Sequence, residues 1–423
     1  MRFLAFGNGL NDNATDFYMP DKVELSPPSP SPSPPASASQ RLLSLDTYRG
    51  AVMFFLAAGS VALTPALLKG IFPDSEFWKF LSTQWSHADW RSSTVTWTGF
   101  RVWDMIQPAF MFMVGVSMPF SYGKRQELGQ SYWRMLGHAV YRAIFLVLLG
   151  VFLRSLRSSH TYWTFEDVVT QIGLGYVFLF LLWNRSWRTQ AVCAAVILIG
   201  YWYLWKFWPN IAGLIGVERT AVAGWPRADD PGQALDVWLL NQEIFPRTDP
   251  FINHDYYTLN FVPSLVTMIF GLMAGHLLRG PQSAKRQLSM LLMTGVAGVL
   301  LGLAADRLGI CPIIKKIWTP SWTLYSGGLC LIILAWFYWT IDVLGFRKWT
   351  LPFVVFGVNS VAIYILTWTW SNWLPGNLSK HLNPTLLAWA PDPWKRLIVS
   401  LLAFAILWLI FYWMYRRKIF LRI

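Results

Sequence analysis

Charge is the first thing this chain is short of: 13% of its 423 residues are Asp, Glu, Lys or Arg, against 54% hydrophobic. That balance, with a mean hydropathy of +0.38, excludes a soluble domain wrapped around one core. Cysteine is scarce too. Cys193, Cys311 and Cys330 lie in or beside apolar segments without CxxC spacing, so neither a disulfide framework nor a metal site is indicated. The six histidines include no pair at metal-ligand spacing. The first 40 residues hold no apolar leader, and their SPPSPSPSPPASASQ run at 26–40 reads as a disordered, extended tail over residues 1–40. Paired carboxylates inside apolar runs, which a proton-coupled carrier needs, are missing as well.

What the chain has is long apolar runs. Stretches of about 20 apolar residues, enough to cross roughly 30 Å of hydrocarbon as a helix, recur from residue 41 onward. The short alternating strands of a membrane barrel are not seen. The expected fold is all-α: a polytopic membrane protein whose bundle of about ten transmembrane helices lies in the lipid bilayer. The spans fall at residues 43–68, 102–122, 137–153, 168–183, 190–208, 259–278, 288–305, 322–344, 351–370 and 397–415.

The net charge of +13 follows the same plan. Basic residues cluster in every second connector: Lys124, Arg125 and Arg134; Arg185 and Arg188; Arg279, Lys285 and Arg286; Arg347 and Lys348; and the tail Arg416, Arg417, Lys418 and Arg422. The positive-inside bias puts these, with both termini, on the cytoplasmic side, and no nucleic acid partner is needed to explain them. The other connectors face outward, among them residues 209–257, a long extracytoplasmic loop suited to a lid or a passive cap. Arg154, Arg157, Lys315 and Lys316 stand on that outward side against the rule. The 26 tryptophans read chiefly as interfacial belts, with stacking on sugar rings as a second use.

Groups able to do chemistry gather at the edge of the second span, in QWSHADWRSSTVTWTGFRVWDMIQPAF, which holds His87, Asp89, Arg101, Asp104 and Gln107. A histidine titrates at roughly 6.5, so His87 beside carboxylates is the candidate proton acceptor, weighed against a solvated loop histidine. Asp104 is the candidate to orient the imidazole, or simply starts the helix. Gln107, one turn further on the same face, is a substrate-binding candidate. Lys315 either contacts an anionic acceptor or meets lipid headgroups. Asn359, a polar residue inside an apolar span, has to face the protein interior, as a helix-to-helix hydrogen bond or as a substrate contact, and Gln171 is read the same way.

The segments SLDTYRG, HADW followed by WDMIQPAFMFMVGVSMPFS, VVTQIGLGY, FGLMAG, KKIWTPSWTLYSGG and FGVNSVAIYIL occur in that order from about Arg41 to Leu366. In these the chain resembles the transmembrane acyltransferases related to heparan-alpha-glucosaminide N-acetyltransferase, as a bacterial-type member. The resemblance implies a catalytic membrane domain over residues 41–423 that takes an acetyl group from cytosolic acetyl-CoA and delivers it to an amino sugar or other glycan acceptor outside. The family's active histidine, in its H-x-x-W segment, falls on His87, as base or transient acetyl carrier. A bacterial cytoplasmic (inner) membrane is the implied location, acetyl-CoA the donor substrate, and a homodimer is left open; no metal is implied. Residues 91–101 look inserted relative to those relatives, which points to a different acceptor. The rival readings from other classes are a transporter or flippase of a sugar-linked lipid or small solute, and a catalytically silent relative.

Overall fold

The apolar stretches fold as helices because an unpaired backbone amide in hydrocarbon costs several kcal/mol and a helix satisfies its own. The structure is a computed structural model and describes residues 42–64, 70, 73–88, 100–214, 230–246, 256–382 and 386–421. The expected tail, Asp89, residues 91–99 of the inserted segment and parts of the long loop (215–229 and 247–255) lie outside the described residues. Those described form helices and loops without a strand.

In chain order the helices are α1 (Leu43–Ala57, continued by a π-helical turn at Ala58–Ala62), α2 (Glu76–Gln84), α3 (Ile106–Glu127, entered through a 3-10 turn at Val102–Met105), α4 (Tyr132–Ser155), α5 (Val168–Trp183), α6 (Trp187–Lys206) and α7 (Trp208–Leu214). There follow α8 (Pro231–Leu240), α9 (Phe261–Arg279), α10 (Ala284–Arg307), α11 (Pro320–Phe337, continued by a π-helical turn at Tyr338–Val343), α12 (Leu351–Gly357), α13 (Ser360–Trp370), α14 (Trp373–Leu382) and α15 (Asp392–Arg416). Among the described residues, the stretches expected to span are largely helical. By length and composition alone, five helices are long and apolar enough to cross a membrane, or up to six if the α12–α13 pair, bent by 86°, is one span. The others fall short for local reasons: α1 has 15 residues and carries Asp46 and Arg49, α5 has 16 residues, α3 carries Gln107, Pro108, Ser117 and Pro119 within its run, and α6 carries Arg188 and Gln190.

The polar and apolar layers are inverted relative to a soluble protein. Thr170, Gln171, Asn260, Ser264, Thr267 and Ser326 are buried, whereas Val192, Val196, Ile199, Met293, Leu300 and Leu409 are exposed. Apolar side chains outside and polar ones turned inward are what lipid selects, so the protein is a multi-pass membrane protein.

With no hydrophobic drive between helices in lipid, close backbone approach holds the bundle together. A Cβ on Gly115 would lie 1.9 Å from Met268 O, and one on Gly271 would lie 2.0 Å from Phe112 O, so α3 and α9 touch main chain to main chain. Met111, Phe112, Val116, Val266, Met268 and Leu272 fill the rest of that contact and are fully buried. The same device joins α1 to α12, where Gly50 meets Phe353 O and Gly357 meets Asp46 O.

Candidate functional site

The His87 segment is built by short-range polar bonds. After α2 ends at Gln84, that side chain's Oε1 accepts the Val102 N–H at 3.2 Å. The Arg101 guanidinium donates to Ser86 Oγ at 2.5 Å and to His87 O at 2.6 Å. Asp104 sits in the 3-10 turn that leads into α3, where its Oδ2 accepts the N–H groups of Ala88 and Arg101, each at 3.2 Å. Both strands of the connector are thereby tied to one carboxylate. Its other oxygen lies 2.9 Å from His87 Nδ1.

Lys315 arrives from the loop between α10 and α11. Its Nζ lies 2.9 Å from His87 Nδ1 and 3.3 Å from Asp104 Oδ1, and 5.3 Å from the Tyr256 ring centroid. The lysine side chain is 6% exposed and the aspartate 1%, so Lys315 is an internal charge partner of Asp104 and not a headgroup contact. Its loop is held firmly: Ile313 N–H donates to Asp306 Oδ1 at 2.9 Å, Asn260 Nδ2 to Lys316 O at 2.7 Å, and the Tyr201 hydroxyl to Ile317 O at 2.8 Å. These bonds support Trp318 at φ 50°, a left-handed conformation that costs a tryptophan about 1–3 kcal/mol.

The ring can use Nδ1 with only one of these neighbours at a time. With the proton on Nδ1 it donates to Asp104, the Lys315 ammonium pairs with the same carboxylate, and the lone pair sits on Nε2. Burial pulls the His87 pKa below its ordinary value, against the Asp104 hydrogen bond and with the help of the Lys315 charge. Its side chain is 48% exposed, because it opens onto a cavity, and water there moderates the shift. Burial likewise pulls the Lys315 pKa below that of an ordinary lysine, opposed by Asp104.

The cavity has a volume of about 410 Å³. Its walls come from Leu56 and Ser60 where α1 and its π-helical turn finish, Trp103, Ile106 and Gln107 where α3 begins, Arg154 and Arg157 at the end of α4, Glu166, Asp167 and Val168 at the start of α5, Tyr256, Lys315, and Tyr364, Thr367, Trp368 and Ser371 at the end of α13. Arg154 pairs with Glu166 at 3.1 Å and Asp167 at 2.7 Å and lies 5.2 Å from the Trp368 ring centroid. Gln107 Nε2 donates to Gln171 Oε1 at 3.2 Å, and Gln171 Nε2 donates to Tyr257 O at 3.4 Å. His87, Asp104, Gln107 and Lys315 are thus brought to one site.

Asn359, read as either a helix-to-helix hydrogen bond or a substrate contact, is not among the side chains that line the cavity. It stands at the break between α12 and α13, where its amide donates to Ile419 O at 3.0 Å and accepts from Leu421 N–H at 2.9 Å. Those bonds satisfy the buried amide and leave it a structural role. Reading the sequence missed Arg154, Glu166, Asp167, Trp103, Tyr256 and Trp368. For Arg154 there was a signal, its place in a connector expected to face outward, against the charge rule; for the aromatics there was none, because each was one among many.

No family model matches the chain. The chain is 23% identical over 429 residues to heparan-alpha-glucosaminide N-acetyltransferase of Homo sapiens, covering 90% of this chain and 60% of that protein. The Mus musculus protein of the same name is 23% identical over 436 residues, covering 92% of this chain and 61% of the relative. The chain therefore spans about three fifths of the length of these relatives, and through most of its own length it is distantly related to them.

Proposed function

We propose that the chain is a membrane acetyltransferase that moves an acetyl group from acetyl-CoA to an amino sugar or polysaccharide, with His87 as base. The observation that carries this reading is the 2.9 Å contact between Asp104 Oδ1 and His87 Nδ1 on the wall of the cavity. The distant relationship to N-acetyltransferases supports the reaction class.

Asp104 holds the tautomer in which Nε2 carries the lone pair. An acceptor amine or hydroxyl gives its proton to Nε2 as its nitrogen or oxygen attacks the thioester carbonyl, a role worth roughly 10²–10⁴-fold in rate. A C–N or C–O bond forms, the carbonyl oxygen takes up the negative charge, and collapse breaks the C–S bond. The imidazolium returns its proton to the departing thiolate, leaving coenzyme A and the acetylated acceptor. In the variant in which Nε2 itself attacks, an acetylimidazole precedes transfer, and the same tautomer is required. The Lys315 ammonium keeps Asp104 ionised and adds positive potential where the oxyanion develops, while Gln107 is the acceptor's hydrogen-bonding contact.

The same reading takes the apolar helices as ten spans with both termini cytoplasmic, the His87 cavity on the outer face, and acetyl-CoA supplied from the cytoplasm of a bacterium. With Cys193, Cys311 and Cys330 replaced, Arg188→Cys and Arg157→Cys should react with an impermeant maleimide from opposite faces of oriented vesicles; labelling from one face refutes the orientation. For the chemistry, vesicles carrying the protein are given radiolabelled acetyl-CoA and a panel of amino sugars and oligosaccharides. Label should enter the acceptor with the native chain and fall to background with His87→Ala. Equal labelling by both would sink the base assignment, and no labelling across the panel would favour a carrier or a silent relative.

A further inference from the structure

A second pocket, of about 180 Å³, lies between α1, α3 and α11 beside the catalytic cavity. Its walls include Val52, Phe55, Ala109, Ile333 and Phe337, with no charged side chain. Trp103 and Ile106 line both spaces. The Trp103 indole seats on Gly59, where a Cβ would stand 2.1 Å from the ring, and its centroid is 6.3 Å from that of His87. Trp103 and Ile106 therefore form the partition shared by the apolar pocket and the cavity onto which the imidazole opens.

We propose that this pocket holds the alkyl chain of acyl donors longer than acetyl, so that the protein transfers acyl groups of up to about six carbons; the size limit follows because a dry apolar cavity of about 150 Å³ holds a benzene-sized guest. The inference rests on the acyltransferase reading of the His87 site. A chain on an acyl carbon in the His87 cavity reaches apolar walls past the shared Trp103 and Ile106 side chains, and each buried methylene there strengthens binding about fourfold. The chemistry is unchanged: the acceptor nitrogen or oxygen forms a bond to the acyl carbon, the C–S bond breaks, and the proton passes through His87 to the thiolate.

The test compares acetyl-CoA and hexanoyl-CoA as donors in vesicles carrying the native chain, Ala109→Leu or Val52→Phe, which fill the pocket from two different helices. Ala109 and Val52 are 4% and 5% exposed, and retained acetyl transfer reports that a variant is folded. We expect the native chain to use both donors, and each variant to lose at least about tenfold in hexanoyl transfer while acetyl transfer stays within about twofold. Acetyl transfer without hexanoyl transfer by the native chain overturns the inference and leaves the proposed function standing. Equal hexanoyl transfer by all three chains also overturns it and assigns the pocket to membrane lipid. Loss of both activities from both variants shows that filling the pocket disturbs His87 itself, which overturns a separate chain subsite. Failure of the native chain with either donor overturns the acyltransferase reading and the inference with it.

Discussion

Replacing Asp104 by asparagine keeps the side chain's shape and removes its charge. The carboxylate, 1% exposed, accepts from Ala88 and Arg101 N–H at 3.2 Å and faces His87 at 2.9 Å and Lys315 at 3.3 Å. An asparagine oxygen can go on accepting the two backbone N–H groups, so its NH₂ is turned toward His87 Nδ1. That NH₂ donates, the imidazole proton moves to Nε2, and the base is lost. In a Ser-His-Asp triad the same exchange lowers kcat by about 10⁴, and a loss of about 10³–10⁴ is expected here. Stability should fall as well, because Lys315, 6% exposed, is left without a counter-charge, and an unpaired buried charge costs about 3–5 kcal/mol. The protein can limit that cost by deprotonating Lys315, whose pKa burial already holds down. A lysine depressed in the native state binds fewer protons folded than unfolded, so the deficit should shrink as pH rises toward the unfolded value of about 10.4. Adding Lys315→Met to Asp104→Asn should restore most of the lost stability and none of the activity. The assays are acetyl transfer for kcat and thermal unfolding in detergent as a function of pH. A single variant that keeps kcat within about tenfold of the native chain would refute the tautomer argument, and a double variant no more stable than the single would refute the orphaned-charge argument.

Lys315→Met alone removes a positive charge that depresses His87, so imidazolium forms more readily and the acid limb of kcat/KM should move to higher pH; an unmoved or lowered limb contradicts this. Asp230, 2% exposed, has its pKa pushed up to about 6 by burial, against hydrogen bonds from Gln233, Tyr257 and Gly232. It holds its proton more tightly folded than unfolded, so stability should fall as pH rises from about 4 to about 6, by up to about 3 kcal/mol. Asp230→Asn can still accept from Gln233 N–H and the Tyr257 hydroxyl, and should abolish that slope in denaturation experiments; persistence of the slope would assign it to another group. Gly271→Ala puts a methyl 2.0 Å from Phe112 O and should destabilise the α3–α9 contact by about 1–3 kcal/mol, whereas Gly200→Ala, inside α6 with nothing within 4 Å, should stabilise by up to about 1 kcal/mol in the same melts.

The helices were legible because a long apolar run has only one way to satisfy its backbone in lipid. Their interruptions were not. The 86° break between α12 and α13 is held by bonds from Asn359 to Ile419 and Leu421, contacts about 60 residues away that no local pattern encodes. The π-helical turns that end α1 and α11 likewise follow no residue signal. Helix α8 is a different kind of miss: Asp230 as N-cap, with its side chain accepting from Gln233 N–H at 2.8 Å, and Pro231 in the first turn are readable start signals, passed over because the long loop was taken as irregular.

Within the site, His87 and Asp104 could be paired from sequence because they flank one connector, 17 residues apart, whereas Lys315 is 228 residues from His87. A signal for Lys315 existed all the same, in the cations that broke the charge rule. The positive-inside bias counts Lys and Arg near the membrane surface and gives acids little weight. Lys315 is buried against Asp104, and Arg154 lies between Glu166 and Asp167, so each is held by acids of the protein's own interior. For these two of the four cations that depart from the expected charge pattern, the departure coincides with an internal acid beside the cation. Asn359 shows the weaker form of the same inference. An amide inside an apolar run announces only that some partner is present, and backbone groups of the chain's own C-terminal residues meet that need as well as a substrate would.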